Sequence, residues 1–176
     1  MRRPLLFTLI AIVVVGVGAA LTVFEPWRAF TNTTVEETLP SIAPASAGPG
    51  STEPDGSREP AVLARGRLIS HEHETTGTVA LLRLPDGSRI LRIEDLKTSD
   101  GPDVRVWLTD APVKEGTAGW RVFDDGKYVE LGALKGNLGS QNYPVPADAD
   151  LETLTSVSIW CARFHVSFGA AELSAA

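Results

Sequence analysis

An uncharged run from Leu5 to Phe24, dominated by Leu, Ile, Val, Ala and Gly, constrains this chain more than any other feature. As a helix rising about 1.5 Å per residue it would span roughly 30 Å, the thickness of a bilayer core. Arg2 and Arg3 precede it, and Glu25, Pro26, Trp27 and Arg28 follow. The positive flank predicts a cytoplasmic N-terminus over residues 1–4, a transmembrane helix over 5–24 and export of everything beyond, with Trp27 as an interfacial anchor. The competing reading is a cleaved signal peptide, with Gly18-Ala19-Ala20 as its small-residue site. Against it, the apolar stretch exceeds the usual core of about 7–15 residues and continues past Ala20.

The next segment, residues 25–39, has some apolar content (Phe30, Val35, Leu39) and reads as membrane-proximal. Residues 40–60 are rich in Pro, Ala, Ser and Gly. They hold too few large apolar groups to offset the entropy of ordering, so they predict a disordered stalk. A Pro-rich docking motif would need a PxxP-plus-basic pattern that this stretch lacks. Residues 61–176 then form one domain. A net charge of −6 with no concentrated Lys/Arg patch excludes nucleic acid as a partner.

Within that domain, short apolar alternations are separated by Gly, Pro, Asp and Asn, the spacing of an all-β fold: a single antiparallel β-sandwich or barrel-like domain. Ala64 to Ser70 predicts a first strand. Thr78 to Leu84 and Arg89 to Ile93 predict a hairpin across Pro85-Asp86-Gly87-Ser88. Val104, Val106 and Leu108 share one face of a strand, with Arg105, Trp107 and Thr109 on the other. Lys127 to Leu131 predicts another strand. From Ser156 to Phe168 the apolar parity switches near Cys161, which predicts a central or bulged strand with Cys161 mostly buried.

Cys161 is the sole cysteine, so no intramolecular disulfide is available. Its thiolate could exchange redox equivalents or serve as a soft ligand to haem iron or copper, with Arg163 as the neighbouring cation; the bland alternative is a small inert hydrophobe. A disulfide-linked dimer through it is a further option that burial would disfavour. His71 and His73 would share a face in extended chain, as a two-imidazole clamp requires. No third ligand, Cys-x-x-Cys or His-Glu-x-x-His spacing accompanies them, so haem or copper has no support from ligand spacing and no metal site is assigned. His71 reads as part of a solvated loop, His73 as a hydrogen-bonding or ligand residue, and His165 as a surface residue. Trp107, Trp160, Tyr143 and Phe164 could line an aromatic pocket or relay electrons; Trp160 and Phe164 read first as core. Gly136 and Gly139 predict a turn-rich connection. No Ser-His-Asp or paired-carboxylate spacing supports hydrolysis.

Several fragments together resemble the DM-thirteen domain family, a proposed electron-transfer domain often found beside DOMON domains. They are His73-Glu74-Thr75-Thr76-Gly77, Gly101-Pro102-Asp103 before Val104 to Leu108, Lys135 to Tyr143, and Trp160-Cys161 with Phe164 and Phe168-Gly169. Phe24-Glu25-Pro26-Trp27 and Val35-Glu36-Glu37 resemble its membrane-anchored bacterial members. The resemblance implies an extracytoplasmic β-sandwich-like domain with a redox role centred on Cys161, and it brings His73, Trp160 and Tyr143 forward as cofactor-binding candidates. With no haem or DOMON domain in the chain, an electron partner would be a separate envelope protein. The expected function is therefore a membrane-tethered redox or electron-transfer module. Its rival is a non-catalytic cell-envelope binding or adhesion module in which Cys161 only packs.

Overall fold

The computed structural model describes residues 3–24, 31–40 and 59–176. The expected N-terminal helix forms as α1, Arg3–Phe24. With its side chains described only from Phe7 to Thr22, no helix among the described residues is long and apolar enough to cross a membrane. Residues 41–58 of the expected stalk, and Trp27 with the rest of 25–30, lie outside the described residues.

Among the described residues, eleven strands build two facing sheets. The first sheet joins β1 (Thr34–Glu36), β8 (Leu138–Val145), β5 (Arg89–Lys97), β4 (Thr76–Arg83), β2 (Ala61–Arg67) and β11 (Ser174–Ala175), in that order. The second joins β3 (Ile69–Ser70), β10 (Val166–Glu172), β9 (Ser156–Cys161), β6 (Val104–Thr109) and β7 (Tyr128–Ala133). The sandwich is antiparallel except where β1 runs parallel to β8.

The expected alternation places the core. Val79, Leu81, Leu91, Ile93 and Tyr143 of the first sheet meet Val104, Val106, Leu108, Val157, Ile159 and Cys161 of the second. Each fully buried Val, Leu or Ile contributes roughly 1.5–3 kcal/mol relative to exposure, so this layer carries most of the fold. The Pro85–Ser88 hairpin forms as its turn chemistry predicts. Gly87 takes φ +84°, and the Asp86 carboxylate accepts hydrogen bonds from Ser88 N at 2.9 Å and Oγ at 2.6 Å.

Four expectations are corrected. The segment 25–39 is not merely membrane-proximal, because Thr34–Glu36 is a strand of the domain itself. Its backbone pairs with β8, and the Glu37 carboxylate accepts from Lys135 Nζ at 2.7 and 2.9 Å and from Asn142 N at 2.7 Å. The run from Lys135 to Tyr143 is less a connection than a strand, and its glycines have another purpose. A Cβ on Gly136 or Gly139 would collide with the Thr33 or Val35 backbone, and Gly139 also sits at φ +96°. The predicted strand Ala64 to Ser70 breaks at Leu68, where the chain leaves the first sheet for the second. Ser156 to Phe168 is a hairpin and not a single strand, although its first arm, β9, is the middle strand of the second sheet as expected: the parity switch at Cys161 marks the turn to β10, with exposed His165 at φ +50° and a further register shift between Ser167 and Gly169.

Candidate functional site

The outer face of the second sheet carries a second core. Trp107 and Thr109 alternate outward from the inward Val106 and Leu108, and Ser158 and Trp160 do the same on β9. Residues 110–127, a long connection with a 3-10 turn at Gly116–Gly119, fold over this face and bury Ala111 and Phe123 against Trp107 and Trp160.

Register lines up three rings. Tyr128 pairs with Thr109, while Trp107 pairs with Glu130 on β7 and with Ser158 on β9, so Tyr128, Trp107 and Trp160 are successive diagonal neighbours across β7, β6 and β9. Diagonal positions on one sheet face are within reach of aromatic side chains. Tyr128 stacks on Trp107 at 4.0 Å between ring centroids with planes 5° apart, and Trp107 stacks on Trp160 at 5.1 Å and 27°. Exposure falls along the series from 45% to 5% to 0%. The column thus runs from solvent to a sealed indole. Phe123 closes its inner end edge-on to Trp160 at 6.3 Å, and His71 stacks on Phe123 at 5.8 Å. The buried Nε1 of Trp107 has no hydrogen-bond partner among the described residues.

His71 is buried, which corrects the solvated-loop expectation. Its Nε2 lies 3.0 Å from the Lys114 carbonyl and therefore donates, which leaves Nδ1 to accept from Ser167 Oγ at 2.9 Å. Ser158 Oγ donates in turn to Ser167 Oγ at 3.1 Å. Burial lowers the imidazole pKa, opposed by the Lys114 carbonyl. The residue pins the covering connection to β10, helped by Ser167 N donating to Trp120 O at 2.8 Å.

The other candidates scatter. His73 faces away from His71: its ring meets Phe168 edge-on at 4.0 Å and its Nε2 lies 2.5 Å from Glu72 Oε2, so the pair forms no clamp. His165 is exposed, with Nδ1 2.9 Å from Asp124 Oδ2. Phe164 is 41% exposed at the hairpin turn and not in the core. Tyr143 belongs to the inner core, remote in register from the column. Burial pushes its phenol up to about 12, and its hydroxyl donates to Gln141 Oε1 at 2.7 Å.

Cys161 is wholly buried with Val104, Ile159, Val166 and Phe168 in the inner core. Burial raises its thiol pKa; backbone groups of Phe164, Arg163 and Asp103 oppose the shift without reversing it. Arg163 acts only through its backbone there, and its side chain is exposed. Such a thiol is a poor nucleophile and a poor ligand. Among the described residues no three His, Cys, Asp or Glu side chains gather as a metal site would need, so the donors around Cys161 do not fit haem or copper.

The model of the electron transfer DM13 family matches residues 67–173. The chain belongs to the DM13 electron-transfer family. No curated protein and no solved structure matches it. The match opens at the last residue of β2, so β1 lies before the DM13 region yet completes its first sheet. Within the DM13 domain, Trp160 and Cys161 are adjacent in sequence but face opposite layers: the indole joins the aromatic column and the sulfur joins the hydrocarbon core. Tyr128, Phe123 and Ser167 escape sequence reading, because strand parity gives a residue's face but not its partner across the sheet.

Proposed function

We propose that this chain is a membrane-tethered, extracytoplasmic one-electron relay in which Tyr128, Trp107 and Trp160 carry the oxidising equivalent and Cys161 is a packing residue. The tether rests on the uncharged run Leu5 to Phe24 and its Arg2-Arg3 flank. The relay rests on one observation, the unbroken ring stack from exposed Tyr128 to sealed Trp160. Electron tunnelling decays exponentially with edge-to-edge distance, so rings in van der Waals contact exchange electrons far faster than rings separated by aliphatic packing.

The step balances with a one-electron oxidant of the transition-metal class as partner. The metal centre accepts one electron from Trp107 across the stacked Tyr128 ring and is reduced, and Trp160 then refills Trp107; a hole left on Tyr128 instead loses the phenolic proton to water and ends there. With no acceptor described at Trp107 Nε1, a hole there stays a radical cation and moves on instead of being trapped by proton loss.

Flash-generated tris(bipyridine)ruthenium(III), with mass-spectrometric mapping of the oxidised residues, tests this on the full chain. Trp160 is expected to be oxidised although no solution oxidant can touch it. Trp107→Phe keeps a packed ring but removes the oxidisable indole, and is expected to cut Trp160 oxidation tenfold while Tyr128 oxidation persists. Equal Trp160 oxidation in that variant would overturn the relay.

A further inference from the structure

We propose that the open face of Tyr128 and the groove beside it dock a redox protein that presents Lys or Arg side chains around its electron-exchange edge. This rests on the relay reading and names its partner. Stacking on Trp107 covers one face of the Tyr128 ring, and the 45% exposure belongs to the rest. Tyr128 also lines a groove of about 360 Å³ at the edge of the sandwich, whose lining includes Val129, Ala149 and Leu154 of the inner layer and the charged Asp148, Asp150 and Lys127.

The groove is built in advance. Arg89 donates from Nη2 to the carbonyls of Pro146 at 2.8 Å and Ala147 at 2.6 Å, Leu154 N donates to Asp150 O at 3.0 Å, and Asp150 accepts from Glu152 N at 3.1 Å and from Thr153 Oγ1. A rigid wall spares a partner the entropy of ordering it. Two carboxylates against one ammonium make the rim acidic, and the exposed phenol face attracts cations through its ring quadrupole. Both features select a basic partner, and an acidic rim around an electron entry point raises the encounter rate of a cation. The surface therefore sets which carriers reach the column as well as how fast.

The full chain in zwitterionic detergent micelles is oxidised with the cation tris(bipyridine)ruthenium(III) and, separately, with the anion hexachloroiridate(IV). The cation's rate is expected to fall with added salt, since charges more than about 10 Å apart are screened at 0.1 M. Asp148→Asn with Asp150→Asn is expected to lower the cation's low-salt rate about threefold or more and to flatten its salt dependence. Glu36→Gln with Glu74→Gln changes net charge equally at the end of the first sheet opposite Pro146 and should leave the rate nearly unchanged; equal effects of the two pairs would overturn the proposal. Tyr128→Leu should slow both reagents, and unchanged rates there would also overturn it. If the groove variants behave as wild type while Trp107→Phe still blocks Trp160 oxidation, the relay stands and this docking face falls.

Discussion

Ionising Cys161 would place a negative charge among Val104, Ile159, Val166 and Phe168, and the nearby backbone groups offset only part of that cost. The thiol is therefore protonated and shielded in the native protein. A thiol reagent should modify it only after denaturation, at a rate that follows unfolding; rapid native labelling would restore a redox cysteine. Cys161→Ala should cost about 1–3 kcal/mol in a denaturation midpoint through lost packing, with oxidation of Trp160 unchanged. Residue chemistry alone gave Cys161 and the histidines more prominence than their surroundings allow. Burial of Cys161 was legible from the parity of β9. The burial of His71 was not, because Lys114 and Ser167 lie 43 and 96 residues away in the chain.

Among the elements, β1 depends most on side chains of its neighbours. Three paired residues are too few to hold a strand by backbone alone, so the Glu37 carboxylate, bound to Lys135 and Asn142, and the Arg92 guanidinium on the Glu37 carbonyl at 3.0 Å complete the attachment. The Lys135 and Asn142 hydrogen bonds hold the Glu37 carboxyl below its ordinary pKa. A depressed carboxylate pKa stabilises the folded state above the unfolded value, and that contribution is lost as pH falls through the folded value. Glu37→Gln should therefore loosen β1 at neutral pH by roughly 1 kcal/mol, a partly exposed pair being discounted for solvent screening, and should blunt the acid-induced loss of amide protection at position 37 and Leu138, whose N–H groups donate to Ser140 O and Thr33 O. Hydrogen exchange of those amides between neutral and mildly acid pH measures it. The hairpin at Pro85–Ser88 was readable because turn chemistry is local. β1 was not, because a short strand that pairs parallel with one a hundred residues later leaves no local signal beyond Val35 and the glycines that make room for it.

For the whole molecule, two sheets and an aromatic outer layer leave the fold independent of any disulfide, and the acidic surface is compatible with basic carriers. Under the proposed tether the full chain should sediment with membranes, and removal of residues 5–24 should leave a chain that stays in the soluble fraction with its relay intact, as fractionation and photo-oxidation together would reveal; a chain equally soluble with those residues present would remove the tether. The all-β class and a resemblance covering Ala61 to Leu173 could be read from alternation and motif order. The aromatic column could not, since it exists only once β7, β6 and β9 are in register.

The early position of β1 also sets a leash. Thr34 lies ten residues beyond Phe24, and a fully extended backbone covers at most about 35 Å in that distance. Because Thr34–Glu36 and Ala61–Arg67 both belong to the first sheet, the length of chain between them adds nothing to this reach. An anchored domain would patrol only a thin layer above the lipid headgroups, so its electron carrier would have to come down to that layer to be met.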